Sequence, residues 1–241
     1  MRPIGFSTGA LAKGDYQEGL RLQLEVGVSA VELSALRENE VEILVAALSD
    51  LDLSKLQYVS FHAPSKLSEM SEDQLLGCLN EVARREIPIV VHPDIIQNPD
   101  TWRSLGRWLL IENMDQRKPV GRTAGELRPF FNLLPEARFC FDIGHARQVD
   151  PTMGVAVEML IEFRDRLAEI HLSEVRSDSR HVAIGETAAA AYRHVASLIP
   201  ETTPVILESM VAPEQIRHEL EVAQSCLSSC QQDRDGHLAV S

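Results

Sequence analysis

The sequence predicts a single (β/α)8 TIM barrel, an α/β fold, on three observations. Eight short apolar segments read as strands, and they alternate with amphipathic stretches at a spacing of roughly 20 to 35 residues. The chain has 241 residues, which suits eight βα units closed into one barrel. No G-x-G-x-x-G follows the first strand signal, so the usual sign of a dinucleotide-binding open sheet is missing.

The strand signals fall at 3–7, 30–34, 58–62, 88–92, 108–113, 138–142, 168–172 and 204–208. Most are near-continuous apolar runs, as parallel strands covered by helices require. Helical periodicity fills the gaps. Residues 15–26 place Tyr16, Leu20 and Leu24 on one face, and 38–51 repeat Val41, Leu44, Val45 and Leu48. Residues 72–85 carry Leu75, Leu76, Leu79 and Val82 at the same period. Stretches 123–134, 152–166, 186–198 and 213–228 behave similarly, and a short helix is expected within 98–106. No composition shift divides the chain. The barrel is expected to span 1–231, with 232–241 as a polar tail.

Hydrophobic residues make up 44% of the chain, enough for a barrel core without covalent staples. A formal net charge of -13 repels phosphate backbones at long range and disfavours broad nucleic-acid binding, although metal in a cleft reverses the local field. The four cysteines, Cys78, Cys140, Cys226 and Cys230, form no C-x-x-C pair and read as reduced thiols. No apolar run has the length of a signal peptide or a membrane span, so a soluble cytoplasmic protein is expected.

The strand ends carry the chemistry. Strand three ends at His62 and strand four at His92-Pro-Asp94. Strand five ends at Glu112-Asn113-Met-Asp115, and strand six at Asp142-Ile-Gly-His145. Strand seven ends at His171 and strand eight at Glu208. A closed barrel brings these ends to one mouth. A lone His or Glu there reads as a structural hydrogen-bonding group. Six in a row, each after a buried apolar run, are costly without a cation. Imidazole and carboxylate together fit zinc, manganese, iron or cobalt, whereas magnesium uses fewer imidazoles. Asp94 and Asp115 are placed to orient imidazoles. Glu32, near the end of strand two, reads as a substrate contact or as half of a buried pair. Arg180 reads as an anion contact or as solvated surface. His194, His218 and His237 receive no role.

These motifs resemble the xylose-isomerase-like barrel superfamily, which contains sugar isomerases and epimerases and the endonuclease IV type of apurinic-site nuclease. The resemblance runs from Gly5 to about Met210. It is carried by Phe-His62-Ala-Pro, Val-His92-Pro, Ile-Glu112-Asn, Phe-Asp142-Ile-Gly-His145, Ile-His171 and Arg180-His181-Val-Ala-Ile-Gly185-Glu186.

The isomerase side of the resemblance implies one metal on Glu112, Asp142, His171 and Glu208. Glu112 and Glu208 would then move a proton beside a carbonyl, with His145 on the substrate. The nuclease side implies up to three ions. The first would sit on His62, His92 and Glu112, and the second on the quartet. The third would use His145, His181 and an Asp two residues before His181. That position is Ser179 here, with Asp178 one place earlier, and Asp178 or Glu174 would have to complete the shell. Of the long basic and aromatic loops of the nucleases the sequence has little near the strand ends, where Lys118, Arg122, Arg147, Arg176 and Arg180 are the nearest basic groups and aromatics stand at 5% of the chain. Three readings follow. The first is a sugar isomerase or epimerase using metal-assisted proton transfer on a small sugar-like substrate. The second is a metal-dependent phosphoester hydrolase. The third is an inactive metal-binding barrel.

Overall fold

The computed structural model describes residues 2–228; the tail 232–241, Cys230 and His237 lie outside the described residues. Among the described residues, eight of ten strands form the barrel: β1 (Ile4–Ser7), β2 (Ala30–Ser34), β3 (Tyr58–His62), β4 (Ile89–Val91), β5 (Leu109–Glu112), β6 (Arg138–Asp142), β7 (Leu167–Leu172) and β10 (Val205–Leu207). They close in the order β1-β10-β7-β6-β5-β4-β3-β2, every pair parallel. The remaining two, β8 (Glu174–Val175) and β9 (His181–Val182), make an antiparallel ribbon over the mouth after β7. The single-barrel expectation therefore holds: β2, β3 and β6 match the apolar runs, β7 begins one residue earlier, and β1, β4, β5 and β10 are shorter by one or two residues.

The helices follow the predicted stretches, with local differences. Asp15 caps Tyr16–Val26 by accepting from Glu18 N, and Gly27 ends that helix in the left-handed conformation. Leu24, expected on the buried face, is exposed. Gln23 is buried instead, because its Oε1 accepts from the Phe6 amide of β1 at 2.7 Å. Segment 98–106 folds as a helical turn, Pro99–Trp102, and a 3-10 stretch, Arg103–Trp108, broken at Gly106 with φ 52. Two short helices stand where loops were expected, Thr8–Ala12 and Ile143–Val149. The second exists because Asp142 is a capping residue: its Oδ1 accepts from His145 N at 2.6 Å.

The main core lies between strands and helices, where Phe131, Phe139 and Phe163 pack together. Inside the barrel, Val90, Leu110, Cys140 and Ala168 form a separate small cluster. Barrels of this kind usually fill their interior with branched apolar side chains. Here the buried Glu32, Ser60 and Glu169 share it. Cys78, Cys140 and Cys226 are free thiols. Among the described residues, no helix is long and apolar enough to cross a membrane.

Candidate metal centre

Strand alternation sets the site. Glu112 and Asp142 are the last residues of β5 and β6, His62 ends β3, and His171 is one residue from the end of β7, level with Asp142 across the ladder. His92 and Glu208 immediately follow their strands. Side chains at these positions converge above the small apolar cluster. Glu112, Asp142, His171 and Glu208 each offer a donor atom, and the four atoms lie within 4.8 Å of one another. His62, His92 and Glu112 form a second such group, and Asp142, His145 and His181 a third.

Glu112 is the centre. Its Oε2 lies 3.3 Å from His62 Nε2 and 3.1 Å from His92 Nε2, and its Oε1 lies 3.1 Å from His171 Nδ1. Burial raises the Glu112 carboxyl, but His171, His62 and His92 outweigh it and hold the group well below the usual carboxylate range. Burial also raises Asp142, and there the nearby Glu208 charge adds to it, so Asp142 stands well above that range. Burial pushes Glu208 up, yet His171 and His181 bring it down to about 2.

Tautomers are set by the backbone. His62 donates Nδ1–H to Ala63 O at 2.7 Å, and His145 donates Nδ1–H to Asn113 O at 3.0 Å. Both therefore turn Nε2 toward the mouth. Asn113, wholly buried, ties β5 to β6. Its Nδ2 donates to Asp142 O and its Oδ1 accepts from Asp142 N, both at 2.8 Å.

Three buried atoms at this level have no hydrogen-bond partner among the described residues: His92 Nδ1, Asp142 Oδ2 and Glu208 Oε2. Two of them belong to the quartet. Orphaned acceptors in a buried cluster are expensive, and a divalent cation is the group that satisfies carboxylate oxygens and imidazole nitrogens together. The donor set fits a divalent cation.

The predicted residues separate into three groups. His62, His92, Glu112, Asp142, His145, His171, His181 and Glu208 come together. Arg180 lines the mouth but is mostly exposed and pairs with Asp178 at 2.8 Å. Glu32 does not reach the cavity. It is fully buried below His171, with its Oε2 3.1 Å from Nε2, which is the buried-pair reading and not the substrate contact. Asp94 and Asp115 orient no imidazole directly: Asp94 binds Lys118 at 2.8 Å and Asp115 binds Arg117 at 3.0 Å. A short side chain next to a long cation satisfies its charge there first.

The third group differs from the resemblance as expected. Ser179, at φ 58, accepts from Gln148 Nε2 at 2.9 Å. Asp178 is held by Arg180, and Glu174 by Arg147 and the Gly185 amide. Asp142 is the carboxylate that falls among His145 and His181.

Sequence reading missed Glu169 and Tyr58. Glu169 Oε1 lies 2.9 Å from His171 Nε2, and Tyr58 Oη donates to Glu169 Oε2 at 2.5 Å. The signal was available: Glu169 interrupts an apolar strand two residues before His171, on the same face.

The cavity above these groups holds about 340 Å³. Leu36, Met114 and Met210 line one part of it, and Arg117, Lys118 and Arg180 another.

No family model matches the chain, and no curated protein matches it in sequence. Solved structures do match in fold. Endonuclease IV from Thermus thermophilus aligns with TM-score 0.58 and 20% identity, over 93% of this chain and 98% of that one. A xylose isomerase-like TIM barrel protein from Mycobacterium smegmatis, in complex with magnesium, aligns with TM-score 0.56 and 14% identity, over 95% of this chain and 98% of that one.

Proposed function

From a chain with the xylose-isomerase-like barrel fold, we propose a divalent-metal-dependent enzyme that isomerises or epimerises a small sugar-like substrate by proton transfer. The observation that carries this reading is the complete quartet Glu112, Asp142, His171 and Glu208, of which Glu112 and Glu208 line a small cavity, with two of its carboxylate oxygens lacking hydrogen bonds. When bound, the metal supplies Lewis acidity to the substrate's carbonyl and hydroxyl oxygens.

The protein groups divide the remaining work. Glu208, with its side chain 17% exposed and its Oε2 free of hydrogen bonds, takes the proton from the carbon beside the carbonyl. Its carboxyl at about 2 keeps it ionised at neutral pH. Glu112, gripped by three imidazoles, is the second carboxylate, facing the substrate from the other side. His145, fixed by Asn113 O, presents Nε2 toward substrate oxygen.

The rim also favours a neutral substrate. Arg117, Lys118 and Arg180 are each paired with an Asp, so these cations are already neutralised before a phosphate arrives. A cavity of about 340 Å³ suits a small polyol.

The second reading is a metal-dependent phosphoester hydrolase. It is favoured by the ligand groups beyond the quartet, His62 with His92 and His145 with His181. The deciding experiment loads the protein with Zn2+, Mn2+, Co2+ or Fe2+ and assays ketoses and aldoses against abasic DNA and simple phosphoesters. Sugar turnover is expected. Cleavage of abasic DNA with no sugar turnover would replace the first reading by the second, and no turnover of either by the metal-loaded protein would favour an inactive barrel.

A further inference from the structure

Below the ligand level the barrel contains a buried acid pair, and burial of two carboxylates needs a reason. Glu32 and Glu169 are both 0% exposed. Glu169 arrives there through an irregularity in the sheet. Phe139 pairs with Leu167 but Cys140 pairs with Glu169, so Ala168 is the extra residue of a bulge. The bulge turns Glu169 and His171 together into the barrel.

On binding a metal through one ring nitrogen, His171 keeps a single proton, on the other. Its Nδ1 faces Glu112 Oε1 at 3.1 Å and Glu208 Oε1 at 3.6 Å, within the quartet. Its Nε2 faces Glu169 Oε1 at 2.9 Å and Glu32 Oε2 at 3.1 Å, below the quartet. A nitrogen that binds metal must be unprotonated, so the proton belongs on the lower side. Glu169 is the better-anchored acceptor. Tyr58, reaching from β3, donates to its Oε2 and leaves Oε1 for His171. The side-chain tie of Glu32 is longer, with Ser34 Oγ at 3.5 Å.

We propose that Glu169, held by Tyr58, is the positioning residue of the metal centre: it accepts the Nε2 proton of His171 and thereby fixes Nδ1 as the ligand atom. The role rests on the metal-centre reading above.

The test reads the His171 tautomer by long-range 1H–15N NMR in the Zn2+-loaded protein, and Co2+ affinity by competition with a chelator. Wild type is expected to carry Nε2–H. Glu169→Leu, which removes the acceptor at similar volume, is expected to populate Nδ1–H and to lower Co2+ affinity by about 10- to 100-fold. Glu169→Gln keeps an acceptor oxygen and is expected to stay near wild type in both readouts, which a general packing defect does not explain. Tyr58→Phe loosens Glu169 alone and is expected to fall between; it carries the test if Glu169→Leu does not fold.

Metal bound through Nε2, with the proton on Nδ1, in the Zn2+-loaded wild type would overturn the proposal. So would a folded Glu169→Leu or Tyr58→Phe protein that keeps both the tautomer and the affinity. No Zn2+ or Co2+ uptake by wild type removes the metal centre, and the positioning role with it. That outcome is distinguishable because metal uptake with Nε2 ligated fails the positioning role alone.

Discussion

The Nε2 atoms of His145 and His181 face each other at 3.3 Å. Their other ring nitrogens are occupied, His145 Nδ1 on Asn113 O at 3.0 Å and His181 Nδ1 on Ser173 Oγ at 2.8 Å. With protons on those nitrogens, two lone pairs meet and only a proton or a cation relieves them. Zn–N bonds of about 2.0–2.1 Å put two tetrahedral nitrogen ligands about 3.3 Å apart.

The pair predicts an outer, weaker metal position sharing Asp142. His181→Ala is expected to remove the weaker binding event and leave the tighter one intact in a Co2+ titration. If His181→Ala abolishes all binding, the outer position is not separable from the quartet.

Elemental analysis of the reconstituted protein is expected to give about one to two equivalents of a first-row transition metal. A third equivalent is not expected to survive dialysis, because Ser179 faces Gln148 and supplies no carboxylate. Absence of any metal after reconstitution removes the enzyme readings that depend on it.

His171→Ala and Glu208→Gln each delete a donor of the quartet. Metal affinity is expected to fall by more than about 100-fold in the first, beyond the range of an outer-layer change. In Glu208→Gln, activity is expected to be lost even where some metal is retained, since an amide accepts no proton from carbon at neutral pH. A Gln variant with wild-type kcat/KM excludes Glu208 as the base.

Metal binding and metal-free stability are expected to respond oppositely to pH. Burial lowers His62, but Glu32 and Glu112 outweigh it and raise the group to about 9. A histidine raised above its unfolded value of about 6.5 stabilises fully below that pH, and this contribution fades as pH rises through about 9. The Tm of the metal-free protein is therefore expected to fall across this window. Co2+ affinity is expected to rise across it, because the metal displaces the His62 proton. A pH-independent affinity would show that His62 is not a ligand.

Phe139, fully buried between Phe131, Phe141 and Phe163, is the test of the outer core. Phe139→Ala is expected to cost about 3–5 kcal/mol in denaturant unfolding. A loss below about 1 kcal/mol means that the cluster collapses around the cavity.

Much of the fold is legible in the sequence because it depends on local periodicity. The eight apolar runs and their spacing require helices on the outside and a closed sheet within. The helix Ile143–Val149 is not legible as a helix, since Asp142 reads from sequence only as a ligand. In the structure one of its oxygens caps the helix and the other, without a hydrogen bond, lies 3.3 Å from His145 Nδ1. Gln23 replaces Leu24 on its buried face for a similar reason: an unpaired strand amide decides it, not the hydrophobic period.

Among the site residues, the sequence alone identified the groups at the strand ends, because a parallel barrel sends every strand end to one mouth. It could not assign Glu32 to the layer beneath His171, find Glu169 and Tyr58, or separate the occupied Asp94 and Asp115 from the unpartnered Asp142. Those distinctions turn on which of two nearby partners a carboxylate reaches. Residues 111 apart, such as Tyr58 and Glu169, meet only when the barrel closes, and the hydrogen bond between them depends on tertiary distance and angle.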